Sequence, residues 1–224
     1  MRRGWQRFNL FANFFITFFS LEQLLKLFSV FSAPSLRPLR LFFYLRSMFA
    51  IIDIETCGGK FNYPTGRITE ICILIHDGLS VVDKFSTLID PECYIAPLYT
   101  NITGITNQMV IGAPKFHQVA KKIHELTDNK TFVAHNVSFD YNFIKAEFAS
   151  LGFHFERKKL CTVQLSRKLI PGYKSYSLGV LCDSLGISNK ARHRAEGDAV
   201  ATAKLFDMLL QAKSSGSHPK LFVK

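Results

Sequence analysis

The sequence predicts an α/β domain in which a mixed β-sheet, an antiparallel meander plus parallel strands, is flanked by helices. Two observations carry this. Three strand-like runs follow one another across turn signals in the first half of the body, and a helix, a short buried strand and several helices then alternate to the C-terminus. A third is composition: 48% hydrophobic and 20% charged residues suit a packed domain and exclude disordered and collagen-like chains.

FAIIDIE (49–55) is apolar and β-branched and runs into the turn-prone Cys57-Gly58-Gly59. ITEICILIHDG (68–78) and SVVDKFSTLID (80–90) flank Asp77-Gly78 and read as a hairpin. Pro91 to Asn107 reads as loop with room for a short helix. Over 113–128, Phe116, Val119, Ile123 and Leu126 recur at helical spacing. TFVAHN (131–136) is a short buried strand. SFDYNFIKAEFASLG (138–152) is a helix with Ser138 placed to cap it and Gly152 to stop it. Further helices are expected at 162–170, 177–185 and 195–212, the last with Ala199, Ala203, Phe206 and Leu210 on one face. No internal repeat is present.

This gives a folded body at 48–212, an N-terminal extension at 1–47 and a flexible tail at 213–224. The formal charge of +11 is shared unevenly, because residues 1–47 hold seven of the 28 bases, one of the 17 acids and 10 of the 22 Phe. The rest carries only +5, so the extension supplies more than half of the basic excess that first points to a polyanionic partner. The apolar run Phe8–Leu21 is short for a spanning helix and has a poor cleavage pattern. Two readings of the extension fit: an upstream segment preceding a start at Met48, or a hydrophobic anchor or export segment that brings membrane contact. Five cysteines, an odd number with no CxxC pair, favour a reduced, cytoplasmic setting and offer no zinc site.

Three places carry chemistry. Asp53 and Glu55 lie two apart on a strand, so both carboxylates leave one face while Ile52 and Ile54 leave the other. Two adjacent acids on a mostly apolar strand repel and lose hydration unless a cation compensates them, although a solvated strand end would tolerate them too. In AHNVSFD (134–140), Asp140 stands in the first turn of a helix after a buried strand, at the carboxyl edge of a sheet. That position also suits an acid through the helix dipole alone. In HRAEGDA, His193 precedes Asp198 by five residues at the start of the final helix.

Taken together and in this order, DIETCGG, AHNVSFD and HRAEGDA resemble the DnaQ-like (DEDDh) 3′-to-5′ exonuclease family, the DNA polymerase III epsilon subunit among them. NITGIT (101–106) and GAPKF (112–116) resemble the family's stretch between its motifs. The chain departs from the pattern at Cys57-Gly58-Gly59, where many members have Thr-Gly, and at Thr103, where some carry His.

The resemblance, which runs from about Phe49 to Ala212, implies a ribonuclease H-like fold and a metal-dependent exonuclease that removes nucleotides from DNA ends in proofreading or repair. Two Mg²⁺ or Mn²⁺ ions are the implied cofactors, with Asp53 bridging both, Glu55 and Asp198 completing one and Asp140 holding the other. His193 is the implied general base. Implied substrate contacts are Thr56, Thr103, His135, Asn136 and Phe139, the last with an equally simple core reading. Some of Arg157, Lys158, Lys159, Arg167, Lys168, Lys174, Lys190, Arg192 and Arg194 are expected to track phosphates. The implied partner is the 3′ end of single-stranded DNA, and association with a DNA polymerase fits. The alternatives are an RNA exonuclease of the ribonuclease T or oligoribonuclease kind and a non-catalytic nucleic-acid-binding module.

Overall fold

The structure, a computed structural model, describes residues 48–58 and 66–215, with side chains described as far as 212. The expectations for residues 1–47 and for the end of the tail lie outside the described residues. Strands β1 (Phe49–Thr56), β2 (Ile68–His76) and β3 (Val81–Leu88) form the antiparallel meander. Helices α1 (Pro97–Thr103) and α2 (Phe116–Thr127) lead to β4 (Thr131–Ala134), which pairs parallel to β1. Helix α3 (Ser138–Ser150) is followed by β5 (Lys159–Cys161), parallel to β4. Helices α4 (Thr162–Leu169), α5 (Leu178–Leu185) and α6 (Ala195–Ser215) complete the chain. The sheet order is β3-β2-β1-β4-β5, so the strand with the paired acids is central.

Alternation along β1 builds two cores. Ala50, Ile52 and Ile54 face the aromatic layer of α2 and α3, where Phe116, Phe132, Tyr141, Phe148 and Phe155 are buried together. Ile51 faces the other way, beside Cys72, Leu74 and Val133, against Ala195, Ala199, Ala203 and Phe206 of α6. Small residues four apart let that helix lie close to the sheet, and its first turn thereby meets the end of β1. β2 is buried along its whole length and carries Glu70 and His76 within an Ile-rich run. Edge strand β3 is exposed over Val81–Lys84 and is tied to α6 by Lys84 on Glu196 at 2.6 Å.

Two local expectations change. β5 was not anticipated, because three residues are too few to show a period of two. Ser138 does not cap α3: the helix begins at Ser138 itself, after Val137, with no side-chain cap bond. The entry is made instead by Asn136, at φ +69°, whose carbonyl accepts the Phe139 N–H at 3.0 Å, while Val137 is buried and anchors the turn. Gly152 does close the helix, at φ +78° and with its N–H on the Ala149 carbonyl.

The close contact between α6 and the sheet has a measurable cost if it is spread. Ala199→Leu inserts three carbon atoms where Ala199 is 0% exposed, and it is expected to destabilise the protein by about 1–3 kcal/mol in urea unfolding. A neutral result would show that α6 is not held by that contact.

Candidate active site

The sheet places the acids by two separate routes. β1 delivers Asp53 and Glu55 on its α6 side, in line with Phe49 and Ile51. The first turn of α6 brings Asp198 to them, and carboxylate oxygens of Asp53, Glu55 and Asp198 all lie within 4.8 Å of one another. Asp140 arrives from α3, and its Oδ1 accepts the Ile54 N–H at 3.2 Å, which fastens it between the two β1 acids. Asp140 is 4% exposed, and the other three are half-buried.

Crowding and burial act on these groups in one direction. Burial first, then the charges of Asp140, Asp198 and Glu55, hold the Asp53 carboxyl well above its ordinary range. Burial and the charge of Asp198 push Glu55 up to about 8, opposed by the Arg194 guanidinium. Asp140 is pushed to about 7 by burial, although bonds from its own backbone amide and from that of Ile54 favour its charged form. Hard oxygen donors with this much uncompensated charge fit a hard divalent cation of the Mg²⁺ or Mn²⁺ kind.

Asp198 is the most closely held of the four. Its Oδ1 accepts from Asn189 Nδ2 at 2.6 Å and its Oδ2 from the His193 N–H at 3.1 Å. His193 is exposed and sits at φ +61°, in the left-handed region, on the segment leading into α6. Helix α6 tolerates this return only because residue 197 is glycine: a Cβ there would come within 2.0 Å of the Ala191 carbonyl oxygen.

The remaining predicted residues surround this centre in different states. The Thr56 hydroxyl donates to the Gly58 carbonyl at 2.7 Å, within the turn that follows β1. Thr103 donates to the Tyr99 carbonyl and accepts the Ile105 N–H, closing the end of α1. Ile105 packs with Cys57, so this turn abuts the Thr56 segment. Both ring nitrogens of His135 are engaged, Nδ1 with the Thr162 hydroxyl and Nε2 with the Tyr176 carbonyl, each at 2.9 Å. Burial holds its pKa below the usual histidine value. Asn136 is exposed beside it. Phe139 is half-buried, with its ring 4.9 Å from that of Phe143.

Several of the basic residues also have structural partners. Arg157 donates to the Thr127 carbonyl at 3.0 Å and lies over Phe155, Lys159 lies over Tyr141, and Arg167 lies over Tyr176.

Glu70 and Asn189 were not anticipated. Glu70 is 4% exposed and stands directly across from Glu55 in the β1–β2 register. A lone carboxylate inside ITEICILIH was the signal, since a buried acid requires a partner. Nothing in the spacing marks Asn189, because its bond to Asp198 depends on how the chain turns back before α6.

Acids gathered at the end of the central strand of a helix-flanked mixed sheet place the protein in the ribonuclease H-like class of nuclease folds. The exonuclease family model matches residues 50–206, and the chain belongs to that family. It is 34% identical over 179 residues to the 3′-5′ exonuclease DinG of Bacillus subtilis (strain 168), covering 79% of this chain and 19% of that protein. To the DNA polymerase III subunit epsilon of Aquifex aeolicus (strain VF5) it is 33% identical over 168 residues, covering 75% of this chain and 82% of that subunit. The chain thus spans about a fifth of the length of DinG and most of the epsilon subunit.

Among solved structures, Exonuclease X in complex with 5′ overhanging duplex DNA superposes with a TM-score of 0.60 at 28% identity, over 78% of this chain and 97% of that one. The nuclease domain of 3′hExo, a DEDDh family member bound to rAMP, shares the fold at 18% identity and a TM-score of 0.64, over 75% of this chain and 93% of that one. Among the described residues, no helix is long and apolar enough to cross a membrane.

Because Glu55 and Asp140 take up protons more readily when folded than when unfolded, their charged forms oppose folding. The metal-free protein is therefore expected to lose stability as pH rises from about 5 to about 8. Glu55→Gln should raise its melting temperature at pH 8, and Mn²⁺ should stabilise the wild type more at pH 8 than at pH 5. Thermal melts with and without Mn²⁺ across that range read both effects, and a metal-free melting temperature that climbs with pH would contradict them.

Proposed function

We propose that this chain is a 3′-to-5′ exonuclease that hydrolyses terminal phosphodiester bonds of DNA with two divalent ions, in replication proofreading or in repair. The observation that carries this reading is the grouping of Asp53, Glu55 and Asp198 within 4.8 Å, with Asp140 fastened to the same strand. The family membership and the named activities of DinG and the epsilon subunit support it.

In this reading Asp53, Glu55 and Asp198 would hold one ion, and Asp53 with Asp140 would hold the other. The ions, when bound, activate water and neutralise charge on the phosphate and on the leaving 3′ oxygen. His193, exposed and joined to Asp198 through its backbone N–H, takes the proton from the attacking water. Thr56 and Thr103, on adjoining turns, border the terminal nucleotide. Asn136 contacts phosphate, His135 is pinned beside it, and the half-buried ring of Phe139 stacks against a base. Similarity to the epsilon subunit and to PolC-type DNA polymerase III of Clostridium perfringens (strain 13 / Type A) supports work beside a DNA polymerase.

The test is digestion of a labelled single-stranded DNA, with a matched RNA beside it, with and without Mg²⁺ or Mn²⁺. Stepwise metal-dependent shortening from the 3′ end is expected, faster on DNA. Asp53→Ala and Asp198→Ala should abolish it, and His193→Ala should reduce turnover by about 10²- to 10⁴-fold while Mn²⁺ binding persists. An Asp53→Ala protein as active as wild type would sink the assignment, and faster digestion of RNA would redirect it to RNA ends.

A further inference from the structure

Glu70 is a fifth carboxylate at the acid cluster, but its oxygens are taken by protein donors. Oε1 accepts from Arg194 Nη2 at 2.6 Å, and Oε2 accepts from Arg194 Nε at 3.0 Å and from the Ala195 N–H at 2.9 Å. These bonds fasten the residues immediately after His193 to β2. Before His193, Asn189 is bonded to Asp198, and the Ala191 carbonyl rests against Gly197. The segment 189–195 is therefore held at both ends, and His193 stands exposed between the anchors at φ +61°. Beside it lies a cavity of about 470 Å³, lined in part by Glu70, Ala191, Arg194 and Val200, so there is room for the segment to shift if an anchor fails.

We propose that Glu70 and Arg194 are positioning residues that fix the C-terminal anchor of the His193 segment and thereby the place of His193 beside Asp198. The proposal rests on the exonuclease reading of the site. Its physical basis is the two-pronged guanidinium bond, which sets an angle as well as a distance and which a lysine cannot reproduce. A proton-accepting group must be held within about 0.5 Å of its working place, so a small drift is costly to turnover and not to binding. Glu70 stands outside the trio of acids whose oxygens lie within 4.8 Å of one another, and the Arg194 guanidinium already answers its charge. The competing role for Arg194, whose side chain is 38% exposed, is a direct grip on a substrate phosphate.

The two roles separate in a double-mutant cycle on the full chain, using labelled single-stranded DNA and Mn²⁺ under single-turnover conditions. Arg194→Lys is expected to slow cleavage about tenfold, leaving DNA affinity and Mn²⁺ affinity within about twofold. In a His193→Ala background the same change should cost nothing further, because the group it positions is gone. An equal loss in both backgrounds, or a loss confined to DNA affinity, overturns the proposal in favour of phosphate contact. Amide hydrogen exchange supplies a readout that does not need turnover. Exchange at Ala195 should rise about tenfold or more in Glu70→Gln and in Arg194→Lys, and unchanged exchange in both would overturn the clamp. A wild-type protein without nuclease activity would instead overturn the exonuclease reading, and the exchange result would still decide the clamp.

Discussion

The mutual repulsion of carboxylates gathered at one end of β1 is the constraint on which the rest of the structure depends. The charges of Asp140, Asp198 and Glu70 add to burial in raising the proton affinity of Asp53 and Glu55. No chain gathers acids in this way without a strong reason to hold them and a rigid frame to hold them with. The frame is β1 itself, paired with β2 through Asp53 and Glu55, with β4 over residues 49–51, and packed on both faces. The strain is the usual mark of a site built to receive cations, whose charge turns an unfavourable cluster into a ligand set.

Asp140, Asp198 and Glu70 are also held by neutral or cationic donors. The Ile54 amide restrains Asp140, the Asn189 amide and the His193 backbone restrain Asp198, and Arg194 answers Glu70. Helix α6 carries Asp198, and the segment leading into it supplies Asn189, His193 and Arg194; both are placed by Ala195, Ala199 and Ala203, which let the helix lie flat against Ile51, Cys72 and Leu74. The packing of small residues is in this sense part of the active site: widening that contact would withdraw Asp198 and His193 together. The same economy appears at His135, whose ring joins the end of β4 to the Thr162 hydroxyl and the Tyr176 carbonyl.

The basic character of the chain has little part in this. More than half of its formal excess lies in residues 1–47, and several bases of the body are turned to internal work, as Arg157 is on Thr127 and Arg194 on Glu70. In the proposed reaction the positive charge that meets the phosphate is carried by cations, and the protein contributes the acids that hold them. Family membership agrees with that division, since the matched region, residues 50–206, covers the sheet, the acids and the first three turns of α6, and leaves the extension out.

Much of the fold and most of the site were legible in the sequence, for a physical reason. Strand parity is local: alternation in FAIIDIE alone sends Asp53 and Glu55 to one face, and four-residue spacing alone gives α6 its apolar side. The order of motifs was enough to identify the family. Tertiary structure decided what depends on residues far apart. Register set Glu70 across from Glu55, and a chain reversal before α6 brought Asn189 to Asp198. Pairing with β4 made a strand of three residues that no period could announce, and a left-handed Asn136, not the Ser138 hydroxyl, started α3. Local sequence fixes which way a side chain leaves the backbone, whereas the donor that meets it is chosen only when distant segments pack.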